Sequence, residues 1–222
     1  MELYEAMRTT FACRDFTDDH LPDEVIYEMI ENARFSPSGG NRQGNRVIIV
    51  RDMATRQRLS DLTVPVAKRY RAQMDIGESP WSAWIPTKLT EEQIAATAAP
   101  AMLTEPLLKS SVVLVVCVDL KVVAATDQFL DRVGVIGGAS IYPFVWSLLL
   151  AARKNGFGGT ITTLPVAHEP EIKALLNIPE DHAVCAVMPF GRPVKQLTKL
   201  KRRPVEEIAT RERFDGEAFS QG

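Results

Sequence analysis

The sequence predicts an α+β fold, a mixed sheet surrounded by helices, built as a single domain over residues 1–222. Three observations predict it. Short apolar runs at Arg46–Val50, Val112–Val118 and Ala183–Phe190 have the length and β-branched content of buried strands. Between them lie stretches of helical period, in no regular strand–helix alternation. No repeat, low-complexity tract or linker divides the chain. With 45% hydrophobic and 24% charged residues, the chain can bury a real core. A net charge of −2 and a pI near 6.0 give no general attraction for nucleic acid or an anionic membrane.

The elements follow in order. Leu3–Thr9 reads as a short helix. Pro22 opens a second, with Asp23 and Glu24 in the first turn, where the helix dipole favours acids. Val25, Ile26, Met29, Ile30 and Ala33 form its buried stripe, and it stops before Pro37. A polar loop, Ser36–Gly44, leads into the strand at Arg46–Val50, whose unbroken apolar run implies cover on both faces. Asp52–Leu62 and Val66–Met74 read as two surface helices, the second carrying Lys68, Arg69 and Arg71.

Residues 75–99 begin with a loop holding Gly77, Pro80, Trp81, Trp84 and Pro86. Its two tryptophans suit either a lid over a site or indoles that pin the loop to the body. Thr90 and Gln93 then form a capping pair for a helix. Asp127–Asn155 reads as one long helix containing an uncharged run, Val133–Ala152. That run is long enough to cross a membrane. Gly134, Gly137, Gly138 and Pro143 interrupt it, and no second such run exists, so a buried helix at a subunit interface is expected instead. Gly156-Phe157-Gly158-Gly159 ends it, Thr160–Thr163 suits brief pairing, and Pro170–Leu176 is a short helix. Residues 195–222 form a polar C-terminal extension, basic at Lys199, Lys201, Arg202 and Arg203.

Several chemistries lack their residues. His20, His168 and His182 are scattered without metal-ligand spacing, so no metal is expected. No GxSxG elbow is present, and the Gly156–Gly159 run follows a helix, whereas a dinucleotide fingerprint follows a strand. Cys13, Cys117 and Cys185 lie far apart, which fits a reducing compartment. Met1–Glu5 has no secretion-signal pattern, and a cytoplasmic location is the expectation. No side chain is nominated as catalytic.

Four polar islands remain: Arg8–Arg14, Ser38–Gln43, Gly159–Thr163 and Lys199–Arg203. A phosphate monoester with a polar arm and a flat ring would use them jointly. Arginines and hydroxyls suit phosphate, and Gly-rich backbone can donate to ring heteroatoms. A positive group near one edge of a flavin would stabilise its anionic reduced form. Taken alone, the loop Ser36–Gly44 reads as a surface turn before it reads as a site.

Three stretches in this order resemble the FMN-dependent nitroreductase family, over about Leu3 to Phe214. They are Arg14-Asp15-Phe16 with Ser36-Pro37-Ser38-Gly39-Gly40-Asn41-Arg42-Gln43; Ser140-Ile141-Tyr142-Pro143 leading to Gly156-Phe157-Gly158; and Gly191-Arg192-Pro193 with Arg202-Arg203-Pro204. The resemblance implies a homodimer with FMN at the subunit interface. It implies ring contacts from Pro37, Ser38, Gly39, Asn41 and Gln43, and Arg14 at the pyrimidine edge. It implies phosphate contacts from the Arg8–Ala12 region, Arg8 and Thr10 among them, and from Arg202 or Arg203, with Thr162 and Thr163 near flavin N5. The implied reaction moves a hydride from NAD(P)H through FMN to a small-molecule oxidant such as a nitroaromatic or quinone. Relatives that dehalogenate or dehydrogenate, or a flavin-binding protein without turnover, are the alternatives. Trp81 and Trp84 are candidate substrate contacts, and so is Trp146, which stacks near the site or fills core. The chain departs from the family pattern at Thr10-Phe11-Ala12, at Gly44-Asn45 and at Trp146-Ser147.

Overall fold

The computed structural model describes residues 1–220. From the N-terminus come α1 (Leu3–Thr9), α2 (Asp23–Ala33), β1 (Asn45–Val50) and α3 (Met53–Asp75). Next are α4 (Glu91–Ala96), α5 (Ala101–Thr104), α6 (Pro106–Lys109) and β2 (Val112–Asp119). The chain continues with α7 (Tyr142–Lys154), β3 (Gly158–Gly159), α8 (Glu169–Leu176) and β4 (His182–Gly191). The four strands form one sheet in the order β1-β2-β4-β3, antiparallel at each pairing. A parallel component enters through the isolated bridge between Ala12 and Gly159.

β2 is buried on both faces, and its alternation sorts the core into two clusters. Val112, Leu114 and Val116 face α2 and α7, packing with Ile26, Met29, Leu148 and Leu149. Val113, Val115 and Cys117 face the other way, onto Leu59 of α3, Leu107 of α6 and Ile172 of α8. The result is helices on both faces of an antiparallel sheet, an α+β domain.

Three sequence expectations are corrected. β1 lies at the sheet edge and is only partly covered, with Ile49 exposed; its apolar run does not mean burial on both faces. The two helices expected at 52–62 and 66–74 are one, α3, running through Pro65. Proline removes one backbone donor there. The helix continues because Leu59, Thr63, Val66 and Ala67 on either side are buried. The long helix expected over 127–155 is confined to α7. Upstream, buried Asp127 captures the chain: its Oδ2 accepts from Val135 N at 2.7 Å, Ile136 N at 3.3 Å and Arg132 Nη1 at 2.7 Å. Those backbone N–H groups are thereby tied to a side chain, and Pro143 sits in the first turn of the helix that follows. No helix among the described residues is long and apolar enough to cross a membrane.

Candidate functional site

The loop after α2 carries a concentration of unusual backbone. Gly40 (φ 61°), Asn41 (φ 53°) and Gln43 (φ 51°) all sit in the left-handed region. Glycine adopts that region freely, whereas each non-glycine there carries strain. The loop is held by side chains. Ser38 Oγ accepts from Gln43 N at 3.0 Å, and Ser140 Oγ accepts from Gly39 N at 3.0 Å. The Ser36 hydroxyl meets Ser147 Oγ at 2.8 Å and Pro143 O at 3.2 Å. Gln43 Nε2 reaches Asn41 Oδ1 at 3.2 Å, so the two amides form one polar unit. Pro37, Gly39, Asn41 and Gln43 are exposed. Pinned to the start of α7, the loop presents its amides and backbone outward.

The other islands gather elsewhere. Cys13 N donates to Gly159 O at 3.0 Å, which joins the first island to the third. Gln196 Nε2 donates to Thr9 O at 3.0 Å, which ties the C-terminal extension to α1. Arg8, Lys199 and Arg202 line a common groove of about 420 Å³. Thr10 is buried and spends its hydroxyl proton on Ala6 O. Arg14 is half-buried, its guanidinium turned to Ala12 O at 3.5 Å. Arg203 is exposed. Thr162 bridges to Val187 of β4, and Thr163 stands exposed at the next turn. Arg153 Nε donates to Thr9 Oγ1 at 3.1 Å, which fixes this group of residues at the C-terminal end of α7. The polar loop is at the opposite end, and α7 has 13 residues, a length of about 20 Å. Within one chain, therefore, the loop Ser38–Gln43 and the basic groove are not brought together.

The tryptophans separate into different roles. Trp81 is pinned: its backbone N meets Gln73 Oε1 at 3.1 Å and its indole N meets Val66 O at 3.4 Å. Trp84 is 83% exposed. Trp146 is 38% exposed on the outer side of α7 and does not fill core. Ser140 and Asn45 were not singled out as site residues from sequence. Asn45 Nδ2 lies 3.5 Å from Ser140 O, and its Oδ1 is buried without a partner among the described residues. Nothing local in the sequence pairs residues about 95 positions apart, although both fall inside or beside the motif stretches. The three thiols are buried, and burial pushes Cys13 and Cys117 up to about 11 and Cys185 to about 12. They stay protonated at neutral pH, which removes thiolate chemistry from consideration. Among the described residues no three His, Cys, Asp or Glu side chains gather as a metal site.

The model of the nitroreductase family matches residues 7–192. The chain belongs to the nitroreductase family. Among its nitroreductase-family relatives is an iodotyrosine deiodinase of Nematostella vectensis, 25% identical over 93% of this chain and 74% of that protein. Another is an iodotyrosine dehalogenase 1 homolog of Caenorhabditis elegans, 23% identical over 92% of this chain. The chain spans 59% of that second relative's length. A solved structure of an iodotyrosine deiodinase bound to FMN and 3-iodo-L-tyrosine superposes with a TM-score of 0.65 at 22% identity, covering 96% of this chain and all of that one. At that identity the superposition shows the shared nitroreductase fold.

Proposed function

We infer that this member of the nitroreductase family is an FMN-dependent oxidoreductase that works as a homodimer, taking a hydride from NAD(P)H and delivering it to a small aromatic oxidant. The observation that carries the reading is the exposed polar loop with three left-handed residues, Gly40, Asn41 and Gln43. Strain of that kind persists where the surroundings over-determine it, and it concentrates at ligand clamps. The donor set fits the cofactor: amides and backbone N–H groups for a heteroaromatic edge, and guanidinium and ammonium groups for a phosphate. When bound, FMN supplies the two-electron chemistry by accepting and passing on a hydride.

This chain's residues do the rest. Ser38, Gly39, Asn41 and Gln43, with Pro37 against the ring, bind and orient the flavin. Arg14 places positive charge at the pyrimidine edge, and Arg8, Arg202 and Arg203 are assigned to the phosphate end; Thr10, buried with its hydroxyl donating to Ala6 O, is left out of that set. Thr162 and Thr163 border the reacting face. Because the loop and the basic groove lie at opposite ends of α7, a single ligand is served more simply by the loop of one copy and the groove of another. The exposed apolar residues Leu3, Tyr4 and Met7 on α1 and Tyr142 and Trp146 on α7 suit such an interface. Residues 75–99 act as the lid in this reading.

A second reading has its own support. Both named relatives are deiodinase or dehalogenase proteins, so the oxidant can be a halogenated aromatic that loses halide. Purified protein should be yellow, and NADPH or NADH should bleach it under anaerobic conditions. Re-oxidation by a nitroaromatic, against halide release from an iodophenol, then decides between the two oxidants. A colourless protein that ignores added FMN overturns both readings, and bleaching without turnover of any oxidant leaves a flavin-binding protein.

A further inference from the structure

The left-handed residues Gly40, Asn41 and Gln43 persist because the loop around them is held. One tie is internal: Ser38 Oγ accepts from Gln43 N at 3.0 Å and closes the turn on itself. The tail of the loop belongs to the sheet, since Gly44 O accepts from Asp119 N at 3.0 Å. A Cβ added at Gly44 would lie 2.6 Å from Val122 Cγ2, so that end has no room to shift. The head of the loop depends on one side chain. Ser140 Oγ accepts from Gly39 N at 3.0 Å, one residue before the left-handed backbone begins. A Cβ added at Gly39 would stand 3.4 Å from that same oxygen, so the hydroxyl lies directly against the loop backbone.

Ser140 is itself fixed from behind. It ends a 3-10 turn, Ile136–Ser140, that leads into α7. The start of that turn is gripped by the buried Asp127 carboxylate, which accepts from Val135 N at 2.7 Å and Ile136 N at 3.3 Å. Arg132 Nη1, at 2.7 Å, balances its charge. Gly138 N then donates to Val135 O at 3.2 Å, and Ile141 N donates to Gly138 O at 3.1 Å. Hydrogen bonds therefore run in series from the carboxylate to the residue after Ser140. Serine carries its oxygen on a single rotatable side-chain bond, so the acceptor goes where this backbone goes.

We propose that Ser140 is a positioning residue for the flavin loop, and that Asp127 acts on the loop through it. Neither touches the ligand. Ser140 holds the Gly39 amide and so aims the backbone and the Asn41 and Gln43 side chains that meet the ring. This rests on the flavin reading of Ser38–Gln43. It adds two residues to that reading, neither of them in the loop.

The first readout needs no flavin. Ser140→Ala removes the acceptor, and amide hydrogen exchange in the flavin-free protein should run about tenfold faster across 38–43. The strands and α7 should keep their protection, and Tm should change little. FMN affinity, from fluorescence titration, should fall about tenfold, the scale of one hydrogen bond lost from a preorganised site. Ser140→Thr keeps the hydroxyl and should retain most of both properties. Asp127→Asn weakens the bonds to Val135 and Ile136 by removing their charge, and should lower FMN affinity severalfold. In a Ser140→Ala background that further loss should vanish, because the path to the loop is already cut. Unchanged exchange or unchanged FMN affinity in Ser140→Ala overturns the proposal, and so does Ser140→Thr behaving like alanine. Full additivity of the two changes overturns the part given to Asp127. Failure of the unmodified protein to bind FMN defeats the flavin reading instead, and the exchange contrast between serine and alanine still decides whether residue 140 holds the loop.

Discussion

Arg56 shows how much one side chain can hold. It is 4% exposed and has no carboxylate partner among the described residues; its Nε donates to Leu107 O at 2.7 Å and its Nη2 to Leu108 O at 2.8 Å, with Ser110 O also in reach. These are carbonyls at the end of α6, which the helix cannot satisfy itself. Arg56→Met should leave them unpaired at a cost of about 3 kcal/mol, a fall of roughly 10 °C in Tm, read by thermal melting. Asn41 separates strain from ligand binding. Asn41→Gly relaxes the left-handed backbone and removes the amide, so Tm should hold or rise slightly while FMN affinity drops. Equal loss of both would return Asn41 to a structural role. Asp127 makes a pH prediction. The backbone N–H of Val135, and then Arg132, hold its carboxyl below the ordinary value of 3.8. A depressed folded-state pKa stabilises the fold above the unfolded value and loses that contribution as pH falls through the folded one. Acid melts should show the native protein weakening below about pH 4, and Asp127→Asn should flatten that dependence.

At the scale of elements, capping and clips decide which parts are firm. α4 has a complete capping box, Thr90 Oγ1 accepting from Gln93 N at 3.3 Å and Gln93 Oε1 from Thr90 N at 2.9 Å, and the sequence pattern announced it. The loop before it is closed by Glu78, whose carboxylate accepts from Thr87 Oγ1 at 2.6 Å and Lys88 N at 2.8 Å. Glu78→Ala should open residues 78–88 to limited proteolysis faster than any other segment, with the sheet intact. The two tryptophans of this segment respond differently. Trp81 is anchored to α3, so Trp81→Ala should loosen the segment. Trp84 is 83% exposed, and under the proposed lid role Trp84→Ala should change oxidant KM while flavin stays bound; unchanged kinetics would return it to a structural role. The bounds of α3 and α7 were not legible in sequence, for opposite reasons. Burial carried α3 through Pro65, and the buried Asp127 carboxylate, accepting from the backbone of Val135 and Ile136, unwound what periodicity would have made the start of α7.

At the scale of the molecule, the arrangement argues for two copies. The loop and the basic groove sit at opposite ends of α7, and apolar side chains of α1 and α7 lie exposed between them. Sedimentation should give twice the chain mass of 24.6 kDa. Trp146→Glu should shift it toward monomer and release FMN in parallel, because a shared site cannot outlast the interface. Loss of FMN from a protein that stays dimeric would assign Trp146 to the site directly.

The sequence by itself determined the α+β class, the three main strands, the left-handed polar loop's location and the family, because each is written in local patterns: apolar runs, caps, and ordered motifs. Only the tertiary structure decided that β1 is an edge, that Pro65 does not break α3, and that Arg69 stacks on Trp81. It also decided that the four polar islands fall into two groups. The physical reason is the same throughout. Burial, and contacts between residues far apart in the chain, outweigh local preference, and neither can be read from neighbouring letters.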